Sequence, residues 1–280
     1  MTAEPRIALA SPGSGRFRAR LLTIMDRKDH PSYWRLMGPG ATREQLLCHY
    51  LQEWAVYVRD FPRMLSTVHA RCPEPEVRRE LAENLFEEET GGISGGGPHG
   101  ELFLHMMEGL GFPRRAFDHP RLLPASRAYR RFLDRAVATS PWIVGAAVVT
   151  IFVEGSRNDR YEIAASEGGV AGAEVDAAAT SGQNAAREWS GSRHASSRGL
   201  AREALDRDPL VVNHGLDPRF LELKRVHRKV EGDHRLSAWR TVLTHAPTPA
   251  ARDRVVAALE RALRLWLAYR EGVARAAKHG

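Results

Sequence analysis

An all-α bundle of about seven helices is the fold class this sequence predicts, on three observations. Apolar residues recur at helical spacing along nearly every segment, no alternating strand pattern of useful length occurs, and Pro, Gly and capping residues punctuate the segments. Short connections between helices of this kind make a bundle, with one face of each helix turned to a shared core.

In chain order, the spacing predicts a first helix over Phe17–Asp29, broken at His30-Pro31, and a short turn around Tyr33–Leu36. Gly38-Pro39-Gly40 is a loop, and Thr42 with Gln45 three residues on reads as a capping box. The helix it opens is expected to run to about Ala70, with Leu46, Tyr50, Glu53, Tyr57, Phe61 and Met64 on one stripe. Pro75 opens a helix to about Glu89, stopped by Gly91-Gly92, and on it Glu88 shares the face of Leu81 and Leu85 while Glu87 and Glu89 turn away. Gly95–Pro98 reads as a flexible loop, and His99 begins a helix with Leu102, Phe103, Met106 and Leu110 inward and His105 off that face. Leu123–Thr139 and Pro141 to roughly Arg160 are two more, and Pro249–Ala276 closes the chain with Val255, Leu259, Leu263, Trp266 and Val273 inward. Residues 1–280 read as a single domain, interrupted at about Ala165–Gly199 by a Gly/Ala/Ser-rich segment with little helical stripe, a flexible insertion by composition.

Composition narrows the class of protein. At 280 residues and 43% hydrophobic, the chain can bury a sizeable core. Its two cysteines, Cys48 and Cys72, form no CxxC motif; this excludes a thiolate zinc cluster and favours a reducing cytoplasm. Met1–Gly15 has no continuous apolar core, so no secretory signal is read there. The run Trp142–Val153 is too short to span a bilayer and reads as a buried helix. The net charge is +7, yet the arginines are scattered among acids, which argues against a nucleic-acid surface.

The residues that carry chemistry begin with His227, Glu231 and His234, which at i, i+4 and i+7 leave one helix face. Two imidazoles and a carboxylate from one face suit iron, manganese or zinc. Glu88 ends an acidic helix terminus that opposes the macrodipole and invites a cation. His99 starts the following helix, as ligand or as capping residue. Glu154 ends the most apolar helix, where a carboxylate demands a partner, either Arg157 or Arg160 or a metal. Glu53 sits among apolar neighbours beside Tyr50 and Tyr57, hydrogen-bonded to a tyrosine or ligating. Carboxylates and histidines converging from four helices in a bundle core make a carboxylate-bridged dimetal arrangement.

With these residues in place, the chain resembles the haem-oxygenase-like dimetal oxidases, related to the TenA and pyrroloquinoline-quinone-synthase-like proteins. The resemblance covers almost the whole chain outside 165–199. It rests on His30-Pro31-Ser32-Tyr33-Trp34, Thr42–Leu46, Tyr57-Val58 with Phe61-Pro62, Asn84–Glu88 with Gly91, His99–Phe103, Glu154-Gly155-Ser156 and the H-x3-[DE]-x2-H pattern of His227, Glu231 and His234. It implies a haem-oxygenase-like bundle and two ferrous ions, with manganese as the alternative metal. By it Glu88, His99, Glu154, His227, Glu231 and His234 would be the ligands, with Glu53 an optional seventh and Glu154 a bridging, catalytic carboxylate. The long Gly-rich loop after Glu88 leaves Glu87 or Glu89 as alternative ligands. Tyr50, Trp54, Tyr57 and Phe103 would wall the substrate pocket.

The activity so implied is the activation of dioxygen to oxidise an amine, amino acid or fatty acid, by N-oxygenation, C–C cleavage or desaturation, in specialised metabolism. The implied partners are a small-molecule substrate, dioxygen, an electron donor and a second copy of the chain, with neither nucleic acid nor membrane. Two other readings stand beside it: a metal-free cofactorless oxidase on the same fold, and a non-catalytic basic helical scaffold for acidic partners.

Overall fold

A computed structural model describes residues 12–157, 159–166 and 205–276 of the chain. Within these, the side chains of 228–233 lie outside the description, Glu231 among them, and so does nearly all of the 165–199 segment.

The described residues form twelve α-helices and no strand: α1 (Pro12–Asp26), α2 (Pro31–Met37), α3 (Arg43–Glu53), α4 (Phe61–Arg71), α5 (Pro75–Thr90), α6 (His99–Gly109), α7 (Pro124–Thr139), α8 (Trp142–Ala146), α9 (Asp159–Ser166), α10 (Pro209–His214), α11 (Glu222–His245) and α12 (Pro249–Ala276). The all-α class is therefore as expected, with more and shorter helices than the seven read from periodicity. The Thr42–Gln45 capping box is present, with Thr42 Oγ1 accepting from Gln45 N and Gln45 Oε1 from Thr42 N. Gly91 ends α5 at φ 64, and its missing Cβ also lets Gly97 return over it: a methyl there would lie 2.6 Å from Gly97 N. Gly95–Pro98, expected to be a flexible loop, thus belongs to a tight fold over Gly91–Gly97 in which Gly95 N donates to Gly91 O at 2.8 Å.

The centre of the bundle is the apolar run after Pro141. Every residue from Ile143 to Phe152 is buried, packed among α4, α7, α11 and α12. Gly145 lets α7 come close, since a Cβ would meet Ala136 O at 3.1 Å. α12 runs along α7 and α1 with Val255, Leu259, Leu263, Trp266 and Val273 all in the core.

Two helices expected to be continuous are not ordinary α-helices throughout. α3 widens into a π-helix over Trp54–Val58, where Arg59 N donates to Trp54 O five residues back, and turns before α4. α8 widens over Ala147–Val153, where Glu154 N reaches Val149 O at 3.3 Å. A π turn inserts one residue and rotates everything after it, and such turns gather at functional sites. Both of these open onto the same cavity.

Among the described residues no helix is long and apolar enough to cross a membrane.

Candidate metal centre

That cavity, of about 240 Å³, is lined by Tyr57 and Val58 from the first π turn, Val153 and Glu154 from the end of the second, Phe61, Glu88 and His99 from α4 to α6, and Leu223, His227, His234 and Arg235 from α11. α11 packs on α5, α6 and the second π-helix, which brings the three sources together.

At its polar end, single ligand atoms of Glu88, His99 and His227 lie within 4.8 Å of one another. His99 Nδ1 is 2.9 Å from Glu88 Oε1 and 3.3 Å from His227 Nε2. One carboxylate oxygen and two imidazole nitrogens aimed at one point are a donor set that fits a borderline-hard first-row ion. Burial disfavours charge on both imidazoles, but the His99 pKa is nevertheless raised because Glu88 and Glu87 favour its cation. His227 is driven down to about 3, by burial first and then by the adjacent His99.

Glu154 lines the cavity and accepts from Asn84 Nδ2 at 2.8 Å. Arg157 and Arg160, the structural partners envisaged for it, pair with Asp29 and Asp26 instead, at 2.7 and 2.6 Å. The backbone on either side of Glu154 is held from α1's end: Lys28 Nζ donates to Phe152 O, Val153 O and Gly155 O at 2.5, 3.2 and 2.6 Å. These carbonyls end a helix and would otherwise be orphans. Burial lowers the Lys28 pKa to about 7, against the pull of Asp159.

Several expectations are corrected. Glu87 does not turn away: it is 0% exposed, with Oε1 3.2 Å from His99 Nε2 and Oε2 accepting from Ile93 N and Ser94 N at 2.8 and 3.0 Å. Burial alone would raise its pKa, but the hydrogen bonds from Ser94, Ile93 and His99 outweigh this and hold it at about 2. The loop's return over α5's end puts two neighbouring glutamates on His99, one at each ring nitrogen. Glu89 is exposed.

Of the four expected wall residues, Tyr57 alone lines the cavity. Tyr50, Trp54 and Phe103 belong to a packed aromatic layer, with Trp54 stacked on Phe103 at 5.4 Å between centroids and its Nε1 donating to Phe117 O. The π turn that starts at Trp54 is the reason, since it rotates Tyr57 and Val58 onto the cavity and leaves Trp54 behind. Glu53 is also not among the lining residues. It accepts from the Tyr57 hydroxyl, lies 3.3 Å from His49 Nε2 and pairs with Arg270 at 3.4 Å. Burial opposes its charge, but His49, Arg270 and Tyr57 together keep its pKa below the ordinary value. His234 lines the cavity, and Glu231 lies one turn before Arg235 on α11. His105 is half-exposed beside Glu108.

Lys28 and Arg235 were not singled out by sequence, and Asn84 was named only as part of the Asn84–Glu88 stretch. Asn84 precedes Glu88 by one helical turn and would have been found by asking what neutral donor faces Glu154. Nothing local marks Lys28, whose acceptors are more than 120 residues away.

Residues 48–267 match the model of a haem-oxygenase-type family described as iron-containing redox enzymes. The chain belongs to that family. It is 36% identical over 63 residues to a 4-aminobenzoate synthase of Chlamydia muridarum, a match covering 22% of this chain and 26% of that protein. It is 31% identical over 116 residues to the pyrroloquinoline-quinone synthase of Cronobacter sakazakii, covering 38% and 43%. The chain thus matches only about a quarter of the length of the Chlamydia relative. A TenA homologue from Pseudomonas syringae pv. tomato superposes with a TM-score of 0.63 at 12% identity over 98% of both chains, which establishes a shared fold.

Proposed function

We propose that this protein is a non-haem iron oxidase or oxygenase that uses dioxygen to oxidise a small organic substrate. The observation that carries the reading is the convergence of Glu88, His99 and His227 in a cavity whose lining also includes the apolar Val58, Phe61, Val153 and Leu223. The match to a family described as iron-containing redox enzymes supports iron as the metal. Glu88, His99, Glu154, His227, Glu231 and His234 are the residues that would hold two irons. Bound iron would supply electrons to dioxygen, which by itself reacts slowly with closed-shell organic molecules.

The chain's own residues do the rest. Asn84 and Lys28 hold Glu154 and its backbone in place. Val58, Phe61, Val153 and Leu223 displace water and hold an apolar portion of the substrate. Tyr57 presents its ring to the same space, with its hydroxyl fixed by Glu53, so Glu53 serves here as the tyrosine's anchor. An amine, amino acid or fatty acid of modest size suits a cavity of about 240 Å³. The reaction class is N-oxygenation, C–C cleavage or desaturation, in a cytoplasmic biosynthetic setting with an electron donor and a homodimeric enzyme.

Anaerobic loading with ferrous ion, followed by metal analysis and oxygen-uptake measurements, tests this reading. Two irons per folded chain and iron-dependent oxygen consumption are expected. No uptake would return the protein to the metal-free oxidase, and strong heparin retention without uptake would favour the basic scaffold.

A further inference from the structure

We propose that Glu87 is a positioning residue, a single buried carboxylate that selects which nitrogen of His99 faces the cavity and fixes the loop from which His99 emerges. The inference rests on the metal reading of that cavity.

The two oxygens of Glu87 do different work. Oε1 lies 3.2 Å from His99 Nε2. Oε2 accepts from two successive loop amides, Ile93 N and Ser94 N. The ring of His99 is thereby oriented with Nδ1 toward Glu88 Oε1 and His227 Nε2. A ligating imidazole usually donates its outer N–H to a carboxylate or carbonyl, which fixes both tautomer and ring angle. Glu87 is placed to be that carboxylate, on the opposite nitrogen from the donor cluster, so it is not itself a member of the cluster.

The loop explains why one group serves both ends. Gly91 takes a left-handed conformation and Gly97 packs against it, so the chain doubles back within seven residues and delivers Pro98-His99 beside the end of α5. Within that fold the Ile93 and Ser94 amides point at the only carboxylate among the described residues that is both fully buried and next to His99's outer nitrogen. Moving the loop moves Glu87, and moving Glu87 turns His99.

Glu87→Gln separates positioning from mere loop anchoring. The amide keeps the shape but has one acceptor oxygen, so the two loop amides and the His99 N–H can no longer both be served. Manganese(II) binding, followed by electron paramagnetic resonance titration, is expected to weaken by about 10- to 100-fold in Glu87→Gln, the range for loss of an outer carboxylate. Glu89→Gln, on the exposed neighbour, should bind as the unaltered protein does. Equal affinity in Glu87→Gln overturns the inference. Failure of the unaltered protein to bind manganese or iron at all overturns the metal reading instead, so the two failures are distinguishable. Should Glu87→Gln not fold, the unaltered protein decides: with ¹⁵N-labelled histidine and zinc bound, His99 is expected to coordinate through Nδ1 and carry a slowly exchanging proton on Nε2. The opposite assignment overturns the proposal.

Discussion

His227 Nε2 lies 3.3 Å from His99 Nδ1, ring nitrogen facing ring nitrogen across α6 and α11. Two imidazoles that close in a buried site cannot both carry a proton at the shared edge, and Glu88 stands 2.9 Å from the same His99 nitrogen. A metal ion held by the three groups would take the place of protons on their ligand atoms. Replacing His227 by Ala should therefore abolish or sharply reduce iron uptake while leaving far-ultraviolet circular dichroism unchanged. Full metal loading in His227→Ala would show that the pair is structural.

Glu154 has a neutral donor beside it. Asn84 donates to it, and Arg157 and Arg160 are engaged elsewhere. Glu154→Ala should reduce iron content well below that of the unaltered protein, whereas Arg157→Ala and Arg160→Ala should load normally. Iron stoichiometry of the three variants checks this, and loss of iron in Arg160→Ala would contradict it.

Lys28→Met removes a shared donor to three carbonyls around Glu154 and should lower stability by roughly 2–4 kcal/mol, since a buried acceptor left without a donor costs about 1–3 kcal/mol. The melting temperature and amide exchange of residues 149–156 report it. An unchanged exchange pattern would mean that the π-helix end holds without the lysine.

Gly155 marks the same junction. A Cβ there would collide with Ile151 O and Asp159 Oδ2, whereas at Gly95 it meets nothing within 4 Å and only the φ of 77 opposes it. Gly155→Ala should cost more than about 2 kcal/mol and Gly95→Ala about 1 kcal/mol. Denaturant titration gives both, and the reverse order would contradict the placement of Glu154's neighbours.

His49 gives the fold a pH dependence away from the cavity lining. It is fully buried and meets an Arg270 N–H at Nδ1, and burial lowers its pKa from 6.5 to about 4. The unfolded chain binds this proton below pH 6.5, while the folded chain does not until about pH 4. Its contribution is therefore fully present above pH 6.5 and is lost as pH falls through that window, by about 3 kcal/mol in all. His49→Gln should flatten the melting temperature between pH 4 and 6.5, and an unaltered slope would assign the dependence elsewhere.

How far the sequence reaches is visible residue by residue. The capping box at Thr42, the inward stripe of α12 and the burial of Ile143–Phe152 follow from local spacing, and the structure has all three. Spacing alone grouped His227 with its own helix and Glu88 with Leu81 and Leu85; that Glu88, His99 and His227 lie together came from the resemblance, and their ligand atoms do lie within 4.8 Å of one another. What spacing could not give was the phase after a π turn: a helix read at 3.6 residues per turn places Tyr50, Trp54 and Tyr57 together, and one wider turn separates them. Glu87 was misplaced for a related reason. On an isolated helix it faces outward, and only the return of the Gly91–Gly97 loop buries it.

Anomalous diffraction at the iron edge, from crystals loaded anaerobically with ferrous ion, tests the central claim most directly. Two peaks are expected in the cavity, with Glu88, His99 and His227 around one of them and Glu154 between the pair. No peak there, or iron bound only at surface histidines, would contradict the assignment of this cavity as an iron centre.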